Sequence, residues 1–375
     1  MHDDAYSVVS AGTMAQRKTK SRPVTLVDVA RESGFSPSTV SIVLNNAPLS
    51  RHIAATTKER IRKTAQSLGY RPDAFARSLR RRRSHTIGVM IFDLSDPFCT
   101  LILRGIQKSL DPTSYQPIMM DANNDRKQLV GYLDLLMERR VEGLIVVANW
   151  LFEEGGLLAQ LRNSRLPTIV VGRDLSGDAI RSVIVNNEEG GYLAIKHLYD
   201  LGHRRIAVIR GPAKLMDSDR RWKGIQRFSS ENGLRIEPQL VRQLPEAIDA
   251  NSGFDGGLFQ TEDLLRSGEK FTALVAFDDL TALGAVRALD RAGLRVPEDC
   301  SVIGFDDVPP AWFSTPDLTT IRQPMQAMGQ LAADWILGEV GGAPQPVEPP
   351  TRPHALAPSL VLRGSTKAFP QALPG

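Results

Sequence analysis

Along residues 24–68 the apolar positions recur at helical spacing in three short runs. In the first, Leu26, Val29 and Ala30 share one face. Thr25, followed three residues later by Asp28, is a capping-box start, and Gly34 stands where the chain must turn with positive φ. In the second, Ser36 is placed to cap and Pro37 falls in the first turn, where a missing N–H costs nothing. Val40, Val43 and Leu44 then point inward and leave Pro37, Ser38, Ser41 and Ile42 outward. The third run, Thr56–Leu68, turns Ile61, Ala65 and Leu68 inward and Arg60, Arg62 and Lys63 outward, and Gly69-Tyr70-Arg71-Pro72 stops it. Two short helices joined by a tight turn and closed by a third predict a helix-turn-helix whose second helix would read a major groove. A helical hairpin with polar solvent faces would show the same spacing, so the neighbouring residues must decide. One more helical pattern, Asp73–Arg80, is too short to hold in water unless something orders it.

From Thr86 the pattern changes. Apolar runs rich in Ile and Val at 87–92, 116–121, 143–148 and 168–173 alternate with helical stretches, notably 127–139 and 157–163. A second series follows, with runs at 205–211, 273–277 and 300–306 and helices around 188–200, 219–232, 253–267 and 279–292. Strands apolar on both faces and joined by helical crossovers predict parallel doubly wound sheets. Two series predict two similar lobes, with ligands expected outside the carboxyl ends of the strands.

Charge settles the first ambiguity. Residues 1–85 hold 16 Lys and Arg against 6 Asp and Glu, a net of +10, while the rest carries 30 against 36, a net of −6. A basic head on a mildly acidic body suits a protein that grips phosphates with one end. The length of 375 residues implies two or three domains, and 42% hydrophobic with 23% charged residues is an ordinary globular balance. Cys99 and Cys300 have no paired spacing, which argues against a disulfide framework or zinc site and fits a reducing interior. No apolar run approaches a membrane span and residues 1–22 contain no signal-peptide core, so a cytoplasmic protein with no membrane partner is expected. The polar, basic stretch 1–22 reads as a disordered leader and 365–375 as a Pro/Gly/Ala-rich tail without leucine heptads. No GxxxxGK[ST] or GxGxxG follows a strand, and no metal or nucleophile constellation stands out. The six histidines are scattered, with His197 and His203 read as structural. An enzyme such as a sugar kinase or dehydrogenase is therefore not expected, and neither is a cofactor.

Seven segments in order, TLVDVARESGFSPSTVSIVLNN, LGYRPDAFARSL, TIGVMIFDLSDPF, GHRRIAVIRGP, DDLTALGAV, GLRVPEDCSVIGFDD and LTTIRQP, resemble the LacI-GalR family of bacterial transcriptional regulators from about Val24 to Gly364. The resemblance implies a small all-α helix-turn-helix domain with a hinge helix, followed by a two-lobed α/β core like a periplasmic sugar-binding protein. It places the helix-turn-helix domain at 23–71, the hinge at 72–85 and the core at 86–364. The N-lobe would take 86–187 and 314–341, the C-lobe 188–311 and 345–364. It further implies a homodimer bound to double-stranded DNA at a near-palindromic operator, and an allosteric small-molecule effector, a sugar by the chemistry of the residues below. The missing leaderlike core and the basic head set this reading apart from a periplasmic sugar-binding protein with the same two lobes.

By the same resemblance, Pro37, Ser38 and Ile42 contact bases, and Thr25, Ser36, Thr39, Ser41 and Asn45 contact phosphates. Ile42 departs from the arginine or polar residue usual there and cannot make a bidentate bond to guanine, though it can meet a thymine methyl. The loop 47–57 is about three residues longer than the family's usual one. Leu79 matches the leucine wedged into the minor groove, and Arg77 would reach adjacent phosphates. Effector contacts fall on Asp96, Phe98, Arg173, Arg221, Asp279 and Gln323, a set of carboxylates, guanidinium forks and one aromatic face suited to a polyhydroxylated ligand. Val185 replaces a common aspartate, and Leu215 and Asp217 depart from the purine-binding pattern.

Overall fold

The computed structural model describes residues 22, 24–70, 83–123, 125–148, 155–246, 252–341 and 352–369, in a head up to Arg83 and a body from Ser84. The leader up to residue 21, the hinge residues Arg77 and Leu79, and the end of the tail lie outside the described residues.

The head contains α1 (Leu26–Ser33), α2 (Pro37–Leu44), a 3-10 turn at Pro48–His52 and α3 (Ala55–Ser67). Its local signals act as the sequence predicts. Thr25 and Asp28 form the reciprocal capping box, and Gly34 takes φ +77 after α1. The Thr39 N–H donates to Ser36 Oγ at 3.1 Å, with Pro37 at the first position of α2. Val29, Ala30, Val40, Val43, Ile61 and Ala65 are buried together, and Leu26, Phe35, Leu44 and Ile53 close over them.

The body has two sheets. The first runs β11-β5-β4-β3-β1-β2, from β1 (Thr86–Ile91), β2 (Gln116–Asp121), β3 (Gly143–Val147), β4 (Thr168–Val171), β5 (Arg181–Val185) and β11 (His354–Leu356), with every pair parallel. The second runs β12-β10-β9-β8-β6-β7, from β6 (Ile206–Arg210), β7 (Val241–Gln243), β8 (Ala273–Val275), β9 (Ser301–Asp306), β10 (Thr319–Arg322) and β12 (Ser359–Val361). Here β12 alone is antiparallel to its neighbour. The strand period of two explains the continuous apolar runs. Ile87, Val89, Ile145 and Ile169 face α4 (Pro97–Leu110) and α12 (Met325–Gly341). Met90, Leu144, Val146 and Val170 face α5 (Arg126–Glu138) and α6 (Gly155–Ser164). The second lobe repeats this with α7 (Asn187–Asp200) and α8 (Met216–Glu231) on one face, α9 (Ser252–Arg266) and α10 (Asp279–Arg291) on the other, and the short α11 (Pro309–Phe313) after β9.

Three expectations need correction. The expected N-lobe segment 314–341 is divided: β10 belongs to the second sheet, and only α12 returns to pack on α4. The expected C-lobe segment 345–364 is divided as well, because β11 extends the first sheet before β12 joins the second. Three-residue edge strands carry too little periodicity to show this in advance. Nor is Ser365–Phe369 a free tail. Ser365 Oγ donates to the Val302 carbonyl at 2.6 Å, and the buried His203 holds the Lys367 carbonyl at 3.1 Å and packs on Phe369. His197 meets Thr366 at 3.0 Å, so both histidines fasten this end of the chain.

Candidate nucleic-acid interface and ligand cleft

In the head, Ser36, Pro37 and Ser38 are exposed at the start of α2, and Thr39, Ser41, Ile42 and Asn45 are half-buried along it. Several of these already have partners. The Thr25 hydroxyl donates to Asp28 at 2.7 Å, the Ser36 and Thr39 hydroxyls meet at 2.9 Å, and the Asn45 amide donates to the Ser41 carbonyl at 2.7 Å. Pro37 and Ser38 are thus carried on a capped, pre-formed helix end. Asp28 is held below its usual carboxylate range by the Thr25 hydrogen bonds and by Arg22 and Arg31. With Asp28 so paired and Glu59 paired to Lys63 at 2.9 Å, the head keeps Arg51, Lys58, Arg60 and Arg62 without an acidic partner among the described residues. Such a surface attracts phosphates.

In the body, the carboxyl ends of both sheets bring charged side chains together. Asp96 caps α4 by accepting the Phe98 N–H at 2.9 Å. Burial, helped by the charges of Asp278 and Asp93, pushes the Asp96 carboxyl up to about 6. Phe98 is 8% exposed and mostly serves the core. Gly172, with φ +96, lets the chain turn at the end of β4, because a Cβ there would lie 2.9 Å from the Ala148 carbonyl oxygen. The turn delivers Arg173, whose Nε and Nη1 are buried without a hydrogen-bond partner. Next to it, Asp174 pairs with Arg220 of α8 at 3.3 Å and ties the lobes together. Burial opposes ionisation of Asp174, but hydrogen bonds from Ser176 and Arg220 keep its carboxyl low.

Arg221 is the centre of the second lobe's contribution. Its guanidinium stacks 3.5 Å from the Phe305 ring centre and 4.5 Å from that of Phe277. Nε donates to Asn187 at 2.8 Å, Nη1 to the Phe277 carbonyl at 2.5 Å, and Nη2 lies 3.6 Å from Asp306. Asn187 in turn donates to Asp217 at 2.8 Å, and Gln323 donates to Asp306 at 2.5 Å. Asp217 and Asp306 are both raised by burial, against the pull of neighbouring arginines.

Of the expected ligand residues, Arg173 acts by charge on Asp217, which Asn187 joins to Arg221, and Asp96 feels the charge of Asp278, while Gln323 meets Asp306. Asp279 is placed differently. It is 0% exposed, and its two oxygens accept Thr320 Oγ1 at 2.6 Å and the Val308 N–H at 2.9 Å, so it braces the cleft floor from beneath. Burial pushes it up to about 8. The neighbouring Asp278, which caps α10 through the Thr281 N–H at 2.7 Å, is the residue whose charge reaches Asp96. Reading from sequence also missed Asn187, Asp306 and the two rings around Arg221, and named Asp217 only as a departure from the purine-binding pattern. One signal was available: Phe-Asp-Asp occurs twice, at 277–279 just after β8 and at 305–307 across the carboxyl end of β9.

Comparison with known proteins matches residues 25–73 to the model of bacterial regulatory proteins of the lacI family and residues 195–366 to the periplasmic binding protein-like domain. The chain is 33% identical to the HTH-type transcriptional repressor PurR of Aliivibrio fischeri, over 84% of this chain and 91% of that protein. It is 31% identical to the ribose operon repressor of Haemophilus influenzae, over 91% of this chain and 98% of that one. Among solved structures, the lac repressor dimer bound to operator and the anti-inducer ONPF superposes with a TM-score of 0.79 at 29% identity, covering 92% of this chain and all of that chain. No helix among the described residues is long and apolar enough to cross a membrane.

Proposed function

The chain belongs to the lacI family of bacterial regulatory proteins, and on that premise we propose that it is a dimeric repressor whose hold on a near-palindromic operator is set by a sugar-like effector between the body's lobes. It is a regulator rather than an enzyme, as its relatives are transcriptional repressors. In this reading α2 enters the major groove with Pro37, Ser38 and Ile42 toward base edges. Thr25, Ser36, Thr39, Ser41 and Asn45 fix the register on phosphates, and Arg77 and Leu79 act at the operator centre. The protein works where bacterial DNA is, in the cytoplasm.

The observation that carries the effector assignment is Arg173. A guanidinium with two buried, unpartnered nitrogens is costly unless a ligand supplies acceptors. A pair of hydroxyl or ring oxygens does so, and Asp96, Asp217 and Asp278 accept hydrogen bonds from further hydroxyls. Arg221 occupies the faces of Phe277 and Phe305, so these rings do not offer a stacking plate for a flat base. A polyol therefore suits the described residues better than a purine. The effector changes operator affinity only by binding the open and closed lobe arrangements unequally.

The test is operator selection with the full-length chain, followed by a thermal-shift screen of sugars and of purines, and DNA titration with and without each hit. Arg173→Met should abolish the effect of the hit on operator affinity while leaving affinity without it unchanged. A protein with no preference for any duplex over random competitor, or a purine acting where no sugar does, refutes this reading.

A further inference from the structure

Between α2 and α3 the connection is folded into the 3-10 turn Pro48–His52. Asn46 takes φ +47, the Ala47 N–H donates to the Ile42 carbonyl at 3.0 Å, and the Ser50 N–H donates to the Ala47 carbonyl at 2.7 Å. These bonds tie the 3-10 turn Pro48–His52 to the last turn of α2. Ser50 is buried and Ile53 packs on the head's core, which leaves Pro48, Leu49, Arg51 and His52 outward. Arg51 Nε donates to His52 Nε2 at 3.2 Å, so the pair forms one basic tip. No carboxylate reaches Arg51, Lys58 or Arg62 among the described residues, and α3 begins at Ala55 with neither a side-chain cap nor an acid in its first turn. Among the described residues no acidic group pairs with the turn's positive charge. Leu49, 61% exposed, stands at the same tip.

We propose that this turn is a second grip on duplex DNA: Arg51, steadied by His52, contacts the phosphate backbone beside the bases that α2 faces, and Leu49 lies against the adjoining sugar edge. The inference rests on the operator-binding reading above. The turn's bonds to Ile42 and Ala47 make it continuous with the proposed reading helix, and a short folded turn loses less entropy on contact than a mobile arm would. A backbone grip adds affinity without sequence preference.

The experiment uses the full-length chain and a selected operator duplex, with affinity measured from low to moderate salt. Each phosphate contact contributes about 0.9 to the slope of log affinity against log salt. Arg51→Ala/His52→Ala should flatten the slope by about 1–2 and weaken operator and random duplex by the same factor, roughly 3- to 30-fold near 0.1 M salt. Arg51→Lys should restore most of the slope, base preference should stay fixed, and Lys63→Ala, whose lysine pairs with Glu59, should change nothing. An unaltered slope in the double variant, or a loss confined to the operator, overturns the grip while leaving the operator-binding reading intact. Wild-type protein without duplex preference overturns both.

Discussion

Asp307 offers the sharpest test of how the body is held together. Its carboxylate, 4% exposed, accepts Trp312 Nε1 at 2.8 Å, Arg322 Nε at 2.6 Å and Arg363 Nη2 at 2.5 Å. Arg322 ends β10 just before the chain returns to the first lobe, and Arg363 follows β12 just after the chain has come back. One buried acid thus clasps two of the segments that join the lobes. Removing one member of a buried pair costs about 3–5 kcal/mol. Arg322 is 52% exposed and its share is small, and Arg363, 14% exposed, keeps a bond to the Leu318 carbonyl at 2.8 Å. That leaves about 2–4 kcal/mol for loss of the clasp. In a body of this size it lowers Tm by roughly 4–16 °C. Asp307→Asn is the variant of choice, because Asp307 sits at φ +61, a left-handed backbone that asparagine adopts more readily than alanine. Its loss falls toward the lower end of that range, since the amide keeps one acceptor. The acid side of the stability profile provides a second reading. Burial opposes ionisation of Asp307, yet the hydrogen bonds from Arg363, Arg322 and Trp312 hold its carboxyl below the ordinary 3.8. A depressed carboxyl contributes stability that is present above its unfolded value and lost as pH falls through the folded one. Wild type and Asp307→Asn should therefore differ most above about pH 4 and converge in acid. Thermal and urea unfolding at pH 7 and pH 3 measure this, with Arg363→Met closing a double-mutant cycle. Equal stability at pH 7, or additive effects in the cycle, would refute the clasp.

Three further outcomes follow from named contacts. Asp279 is pushed up to about 8 by burial, so its proton stabilises the folded state at low pH and that contribution is lost as pH rises toward and through 8. Asp279→Asn, able to accept from Val308 and donate to Thr320, should remove this decline, and parallel pH profiles for the two proteins would count against it. A Cβ on Gly105 would lie 2.1 Å from the Gln326 carbonyl oxygen, so Gly105→Ala must push α4 and α12 apart at about 1–3 kcal/mol, read as a lowered Tm. Ile42→Arg should shift the preferred base at one operator position toward guanine, and an unchanged selection result means that position 42 does not read sequence.

The head was legible because its signals are local. Thr25 with Asp28, Gly34, and Ser36 with Pro37 fix backbone dihedrals and caps within four residues of themselves, so nothing distant needed to be known. The two-lobed body was legible for a similar reason, since strands covered on both faces must be apolar throughout. Edge strands such as β7, β11 and β12 were not, because three residues define no period.

The chain's order of residues by itself therefore determined a basic helix-turn-helix, its caps, and an alternation that winds two parallel sheets. Only the tertiary structure decided which charged groups share a cleft. Asp278 and Asp279 are chemically identical neighbours, yet one caps a helix toward Asp96 while the other is sealed against Thr320, 41 residues away. Arg221 likewise depends on one ring from the turn after β8, another from the end of β9, and Asn187 from another helix. Local pattern sets where the backbone turns, whereas a side chain's charge state and partners are set by the solvent it loses and the groups it meets, and those come from elements far apart along the chain.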